Sequence, residues 1–195
     1  MLPEPVVFIS ALLNLIGALS YVRQSLTGDA QPNRVTWLLW SIAPLIATAG
    51  QISAGVGLST LAVFMTGFGP LLVFISSFFN PNGYWQLRAL DYVCGVFSII
   101  GLALWVYAGD PRLAILFAIV ADLFAAIPTV TKAWNHPKTE NLKTYILTFV
   151  AGIIGLLTVH KYSFEGFAFI SYITAINSII VGSLIVSQWR HENVR

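Results

Sequence analysis

Apolar residues along the chain form long runs separated by short turns that are rich in Gly, Pro and Asn and hold most of the charge. A bilayer core about 30 Å thick requires around 20 apolar residues per helix, because a spanning segment must satisfy its own backbone hydrogen bonds. The pattern therefore predicts an all-α membrane protein with seven transmembrane helices, near residues 5–26, 35–53, 57–79, 88–107, 112–134, 143–160 and 164–187.

Composition supports a lipid-embedded chain. Only 9% of the 195 residues are charged and 57% are hydrophobic, with a mean hydropathy of +0.79, whereas soluble domains carry roughly a quarter charged residues. We expect an integral protein of the cell (inner or plasma) membrane, with the lipid bilayer as a partner. Because Glu4 but no Lys or Arg precedes the first apolar run, we expect a retained helix rather than a signal peptide.

Several function classes lack their sequence features. The single cysteine lies in an apolar run, and no histidine has metal-ligand spacing with another acidic residue or histidine, so no metal or other cofactor is predicted. A net charge of +2 without a basic run argues against a nucleic-acid partner. No nucleophile–base pair or phosphate-binding glycine loop is evident, so no enzyme activity is predicted.

The distribution of basic residues predicts an orientation. With seven spans, eight of the ten basic residues fall on the side that holds the turns after spans one, three and five and the C-terminus: Arg23, Arg34, Arg88, Lys132, Lys138, Lys143, Arg190 and Arg195. Only Arg112 and Lys161 fall on the other side. The positive-inside rule then places the C-terminus in the cytoplasm and the N-terminus outside.

The sequence also matches itself at an offset of 108 residues. Residues 14–49 align without gaps on residues 122–157, with eight of 36 positions identical, among them Asn33/Asn141 and Thr36/Thr144. Conservative pairs extend the match: Asn14 with Asp122, Trp37 with Tyr145, Thr66 with Thr174 and Gly69 with Asn177. Apolar composition alone produces some of these identities, since any polytopic protein shows faint self-similarity.

An offset of 108 skips one helix, so spans one to three repeat as spans five to seven. An odd linker helix lets both repeats run in the same direction through the membrane, which is the parallel-repeat plan. The predicted organisation is two parallel three-helix bundles joined by a linker helix (3+1+3): residues 1–80 form the first repeat, 81–110 the linker and 111–195 the second repeat with a short cytoplasmic tail.

Over essentially its whole length the chain resembles the SWEET sugar transporters and the related PQ-loop proteins. The local matches are "ALSYVRQSLTGDAQPNRVTWLLW" in the first repeat and "AAIPTVTKAWNHPKTENLKTYILTFVAG" in the second. In PQ-loop proteins Pro-Gln ends the first helix of each repeat; here Pro128 is followed by Thr129, and the first repeat has Ser20-Tyr21. The resemblance implies transport of a sugar or a related small solute.

Asp122 is the first candidate functional residue, because it lies near the middle of the fifth span. An ionised carboxylate there costs about 2.5–3.5 kcal/mol, so Asp122 must be protonated, paired or in contact with a polar cavity. Two interpretations stay open: a neutral acid that donates one interhelical hydrogen bond, or a titratable group that binds a proton or substrate. Asn14, its repeat equivalent, would supply an uncharged hydrogen-bonding partner.

Asn177 lies near the centre of the seventh span, and its amide could bind hydroxyls or a zwitterion. The resemblance implies the same role, since SWEETs place an asparagine of the last span at the sugar pocket. Interhelical bonding, worth about 0.6 kcal/mol, is the alternative. Thr66 is a further candidate substrate contact, and Gly69 replaces the polar counterpart of Asn177.

Pro44 and Pro128 lie inside predicted spans and are the candidate hinges, because proline removes a helical hydrogen bond and kinks a helix. The leading hypothesis is alternating-access transport of a small polar solute (a sugar, an amino acid or a vitamin-like molecule) with proton coupling through Asp122. The alternative is a non-transporting membrane receptor or scaffold of the same fold. Assembly into a homo-oligomer is left open.

Overall fold

The computed structural model of the chain describes residues 2–80, 89–160 and 162–193. Side chains at 90, 91, 94, 98, 101, 102, 105, 108 and 191–193 are outside the description as well. The predicted start of the linker at residue 81, and the basic residues Arg88, Lys161 and Arg195 used in the orientation argument, therefore lie outside the described residues.

Within the described ranges the chain is all-helical, and each of the seven predicted apolar segments forms an α-helix. Their bounds are α1 (Val7–Thr27), α2 (Arg34–Ser53), α3 (Thr60–Ser77), α4 (Ala89–Ala108), α5 (Pro111–Asn135), α6 (Leu142–Leu157) and α7 (Phe164–Asn193). Short 3-10 turns precede α1 at Glu4–Val6 and α6 at Pro137–Thr139.

Five of these helices, α1, α2, α3, α5 and α7, are long and apolar enough to cross a bilayer, counted over the described residues. The protein is therefore an integral membrane protein, as its composition predicts. α4 is 20 residues long and α6 only 16.

Three helix ends differ from the predicted spans for local reasons. α3 begins at Thr60 rather than 57, because Gly57 has a φ of 91° and cannot continue a right-handed helix. α6 ends at Leu157 rather than 160, where the Thr158 hydroxyl donates to the carbonyl of Gly155. α7 continues to Asn193, beyond the apolar run, because no Gly or Pro follows to stop it.

α2 and α6, which correspond at the sequence offset of 108, start with the same kind of cap. Asn33 Oδ1 accepts a hydrogen bond from the amide of Val35 at 3.1 Å, and Asn141 Oδ1 accepts one from the amide of Thr144 at 3.1 Å. Side-chain capping satisfies a backbone donor at a helix N-terminus, and losing it costs about 1 kcal/mol. The Asn33/Asn141 identity at an offset of 108 therefore has a structural cause.

The contacts between helices follow the sequence offset. If α1, α2 and α3 are exchanged with α5, α6 and α7, each of the main contacts among these six helices becomes another observed contact. α3 packs against α1 and α2, and α7 packs against α5 and α6. Between these groups, α1 packs against α6, and α2 packs against α5. α4 packs mainly against α5. The two groups of three helices thus contact each other through equivalent pairs.

Small residues allow close approach at several of these crossings. A Cβ built on Gly17 would lie 3.3 Å from the carbonyl oxygen of Thr144, and one built on Gly67 would lie 3.0 Å from that of Ser41. Lipid tails are as apolar as leucine, so helices in a bilayer associate through such packing rather than through a hydrophobic drive.

Two apolar clusters fill the interior at different levels. One includes Tyr21, Trp37 and Tyr145 at the end of the bundle where α1 finishes and α2 begins. The other includes Val7 and Phe169, near the start of α1 and the start of α7. The level between the clusters is where the polar residues of the helix centres lie.

Candidate functional site

A buried cavity of about 60 Å³ lies inside the helix bundle. The described residues that line it come from every α-helix except α4: Asn14, Ala18, Trp37, Trp40, Thr66, Gly69, Pro70, Asp122, Thr144, Tyr145, Thr148, Ile173, Asn177 and Ile180. All four residues predicted to contact substrate (Asn14, Thr66, Asp122 and Asn177) are in this set. They lie far apart in sequence, on α1, α3, α5 and α7, and the fold brings them together.

The cavity contains both members of several repeat pairs. At the offset of 108 these pairs are Asn14/Asp122, Trp37/Tyr145, Trp40/Thr148 and Gly69/Asn177. The remaining predicted contact, Thr66, lines the cavity without its equivalent Thr174. The paired positions carry different chemistry: the first repeat supplies two indoles and a glycine, and the second a phenol, a hydroxyl and an amide.

Asp122 is the buried carboxylate of this site, with 2% of its surface exposed. The hydroxyl of Tyr172 on α7 donates to Asp122 Oδ2 at 2.7 Å. Sequence reasoning did not identify Tyr172, because its repeat equivalent is Phe64 and nothing in its spacing sets it apart from other apolar-face residues.

Two side-chain nitrogens of cavity-lining residues have no hydrogen-bond acceptor within the described part of the chain. They are Nδ2 of Asn14 and Nε1 of Trp40, whose residues are 5% and 8% exposed. An unsatisfied buried donor costs about 1–3 kcal/mol. Such donors are stabilised when a bound molecule supplies an acceptor, so they mark positions where a ligand would gain hydrogen bonds.

Asn177 and Thr66 already donate to their own helices. Asn177 Nδ2 donates to the carbonyl of Ile173 at 2.9 Å, and Thr66 Oγ1 donates to the carbonyl of Val63 at 2.7 Å. Each keeps an oxygen that can accept a hydrogen bond. Both side chains are thereby held in one orientation at the cavity wall.

The candidate hinge prolines lie inside α2 and α5, which pack against each other. Because proline has no amide hydrogen, Pro44 cannot bond the carbonyl of Trp40, the residue four positions before it. Pro70, in α3, stands in the same relation to Thr66. Trp40 and Thr66 both line the cavity, so α2 and α3 each lose a backbone hydrogen bond at the level of the cavity.

A second polar cluster lies where the turns of the two repeats meet, around Glu140. Its carboxylate accepts hydrogen bonds from Tyr145 at 2.8 Å and from Tyr21 at 3.1 Å, and it pairs with Lys132 Nζ at 2.9 Å. Lys132 also donates to the carbonyl of Gln31. The Glu140 side chain is only 4% exposed. The cluster joins α1, the α1–α2 turn, α5 and α6.

A small pocket of about 10 Å³ lies beside this cluster and shares one lining residue with the main cavity. Trp37 lines both cavities, while Pro128, Lys132 and Glu140 line only the small pocket. The second candidate hinge, Pro128, therefore lies beside the Glu140 cluster rather than at the main cavity. Glu140 was not identified from the sequence, because it lies in a polar turn where a charged residue is expected to face solvent.

The chain matches no known protein-family model, no curated protein and no solved structure.

Proposed function

We propose that the chain is a membrane transporter that moves a small polar solute through the buried cavity by alternating access. One observation carries the proposal: a single cavity is lined by all four residues that the sequence predicts as substrate contacts on four separate helices, Asn14, Thr66, Asp122 and Asn177. Transporters of this kind place the solute near the bilayer midplane, at the interface between repeats.

The packing of the helices supports a two-repeat mechanism. In this proposal all seven helices span the membrane, and α1–α3 and α5–α7 are parallel three-helix bundles joined by the linker α4. Contact between the bundles runs through the equivalent pairs α1·α6 and α2·α5, so a rocking motion would change both contacts together. This arrangement is the one expected from the resemblance to SWEET and PQ-loop transporters.

The apolar clusters above and below the cavity support alternating access. The cavity wall includes Trp37 and Tyr145 from one cluster and Ile173 from the other. Opening either cluster would expose the cavity to one side while the other cluster excludes water. The prolines Pro44 and Pro128 are proposed as the positions where α2 and α5 bend.

Asp122 is proposed to couple transport to protons. The described titratable groups associated with its site are the phenol of Tyr172 on α7, which donates to the carboxylate, and Tyr145 on α6, which lines the cavity. The lining residues of α2 are tryptophans, and the α4 ring that stacks on α5 is Phe97. A carboxylate without a basic neighbour is stable in the membrane when it is protonated or paired with a cation, so uptake should depend on the protonation state of this group.

Transport is tested by reconstituting the purified protein in liposomes and following a panel of radiolabelled sugars, amino acids and amino alcohols over time. We expect time-dependent accumulation of at least one solute, and its loss by at least tenfold in Asn177→Ala. Ser178→Ala is the matched control, because Ser178 is exposed on the outer side of the same helix and should transport normally.

The coupling experiment compares uptake at several internal and external pH values. Asp122→Asn should remove the response to a proton gradient, since an amide cannot exchange a proton in this range, whereas Leu123→Ala should retain it, because Leu123 is 46% exposed on the lipid-facing side. An unchanged gradient response in Asp122→Asn would exclude coupling through this residue. Binding without accumulation of any solute would favour the receptor alternative.

A further inference from the structure

The described lining of the cavity contains one carboxylate and no basic side chain. Asp122 contributes a carboxylate, while Lys, Arg and His are absent from the described lining. The nearest basic residues by sequence on α5 are engaged elsewhere, Lys132 with Glu140 and Arg112 with Glu165. A buried carboxylate requires a proton or a cationic partner, because isolated charge is costly in a low-dielectric site. A cationic solute would supply that partner.

Aromatic rings form another part of the wall. Trp37 and Trp40 have centroids 5.3 Å apart with ring planes at 87°, so the two rings meet edge to face, and this aromatic corner contributes two indoles to the lining. Tyr145 adds a third aromatic side chain to the lining. Aromatic faces attract organic cations within about 6 Å, and cages of Trp and Tyr recognise quaternary ammonium groups.

The unpaired donors indicate what else the solute carries. Asn14 Nδ2 and Trp40 Nε1 both lack acceptors among the described residues, and both belong to residues that line the cavity. A hydroxyl or carboxylate oxygen on the solute would accept from them. A purely apolar cation would leave both donors unsatisfied, at a cost for each.

The cavity volume limits the size of the solute. A water-sized group needs roughly 10–15 Å³ by this measure, so about 60 Å³ corresponds to about four to six such groups. Choline has about one heavy atom more than the upper end of this range, whereas a hexose has about twice as many heavy atoms as that upper end.

From these observations we infer that the cavity binds a small organic ammonium ion that also carries a hydroxyl or carboxylate oxygen. The ammonium group lies against Asp122 and the aromatic corner, and the oxygen accepts from Asn14 and Trp40. The inference rests on the proposed transport function and names the class of solute for that same site.

The decisive comparison uses the wild-type protein with choline and with 3,3-dimethylbutanol, its neutral isostere in which carbon replaces the charged nitrogen. Binding is measured by calorimetry in detergent, and uptake by radiolabelled choline in liposomes. We expect choline to bind at least tenfold more tightly than the isostere. Tetramethylammonium, which lacks the oxygen, should bind more weakly than choline, and glucose should not compete with choline.

Variants then locate the interaction. Asp122→Asn should remove the preference for choline over its isostere, and Trp40→Leu should weaken choline binding, with Trp40→Phe restoring part of it because a ring face is regained. Leu123→Ala, one position away on the lipid-facing side, should bind choline normally. Each variant is compared after size-exclusion chromatography confirms a monodisperse protein.

The assignment of an ammonium ion and the proposed transport function can be overturned independently. Equal binding of choline and its isostere, or tighter binding of glucose with uptake intact, overturns the assignment of an ammonium ion and leaves transport standing. Tight choline binding without accumulation in liposomes supports the ammonium site and overturns transport.

Discussion

At the scale of single residues, Glu140 is a charged group with a buried side chain that connects α1 to α5 and α6 in the described structure. Its carboxylate accepts from Tyr21 of α1 and Tyr145 of α6 and pairs with Lys132 of α5. The carboxylate is 4% exposed and the Lys132 side chain 15% exposed. A buried pair of this kind adds little net stability compared with apolar residues, but losing one partner leaves an uncompensated charge.

We therefore predict that Glu140→Ala lowers the free energy of unfolding by about 3–5 kcal/mol, since the buried Lys132 ammonium is left without its carboxylate. The double variant Glu140→Ala/Lys132→Met should recover part of the loss, because no buried charge remains. Glu165→Gln should cost much less, because its partner Arg112 has a side chain that is 68% exposed and stays solvated without the carboxylate. Unfolding by SDS titration, followed by tryptophan fluorescence, measures all three; a loss in Glu140→Ala no larger than in Glu165→Gln would contradict the prediction.

Some polar residues of the cavity could be predicted from the sequence because polar side chains at span centres are rare. Asn14, Asp122 and Asn177 stand out from apolar surroundings, and the repeat pairs each of them with a position that also lines the cavity. Tyr172 and Glu140 could not be predicted in this way. A tyrosine in an apolar helix and a glutamate in a polar turn are both ordinary, and only tertiary packing buries them together with their partners.

At the scale of helices, the contact between α6 and α7 depends on the absence of a side chain at Gly152. A Cβ built there would lie 2.4 Å from Oγ1 of Thr174 and 3.3 Å from its Cβ. Thr174 is β-branched, and its hydroxyl donates to the carbonyl of Ile170 at 2.8 Å, so its side chain cannot move away freely. The two helices therefore approach each other more closely at this point than a side chain on residue 152 would allow.

Gly152→Ala should destabilise the protein by about 1–3 kcal/mol, the usual cost of overpacking a close contact. Gly182→Ala is the control on α7, because a Cβ there meets nothing within 4 Å and alanine favours a helix over glycine. SDS unfolding of both variants checks the prediction. An equal stability of the two would show that α6 and α7 can separate without cost.

Helix positions were predictable to within a few residues for most ends, because long apolar runs leave little choice inside a membrane. The exceptions are ends decided by one side chain or one backbone angle, such as Gly57 and Thr158. The repeat identity Asn33/Asn141 was visible in the sequence, but its meaning as a pair of N-caps required the hydrogen-bond geometry.

At the scale of the whole molecule, equivalent packing of the two helix triplets places the cavity between them. Each triplet has its third helix between the first and second, and the first helix of each contacts the second helix of the other. The side chains do not share this equivalence: at the offset of 108 Trp40 corresponds to Thr148, and Gly69 to Asn177. Equivalent positions thus give the cavity unlike side chains, which suits the proposed solute with two unlike ends.

The proposed topology is tested by single cysteines in a Cys94→Ala background. Asp29→Cys, Lys138→Cys and Tyr162→Cys place thiols at exposed positions in three turns. In intact cells, a membrane-impermeant maleimide should label Tyr162→Cys alone, because the turns after α1 and α5 are predicted to be cytoplasmic. Asp29→Cys and Lys138→Cys should be labelled only after the membrane is opened.

The three cysteines also test whether α4 and α6 cross the membrane, since the five helices counted as long and apolar enough over the described residues do not include them. Only α6 separates Lys138 from Tyr162, and its 16 residues extend about 24 Å, less than a bilayer core of about 30 Å. Labelling of both from the same side would mean that α6 does not cross. Four helices, including α4, lie between Asp29 and Lys138. Labelling of these two positions from opposite sides would mean that α4 does not cross the membrane. The two proposed repeats would then run in opposite directions.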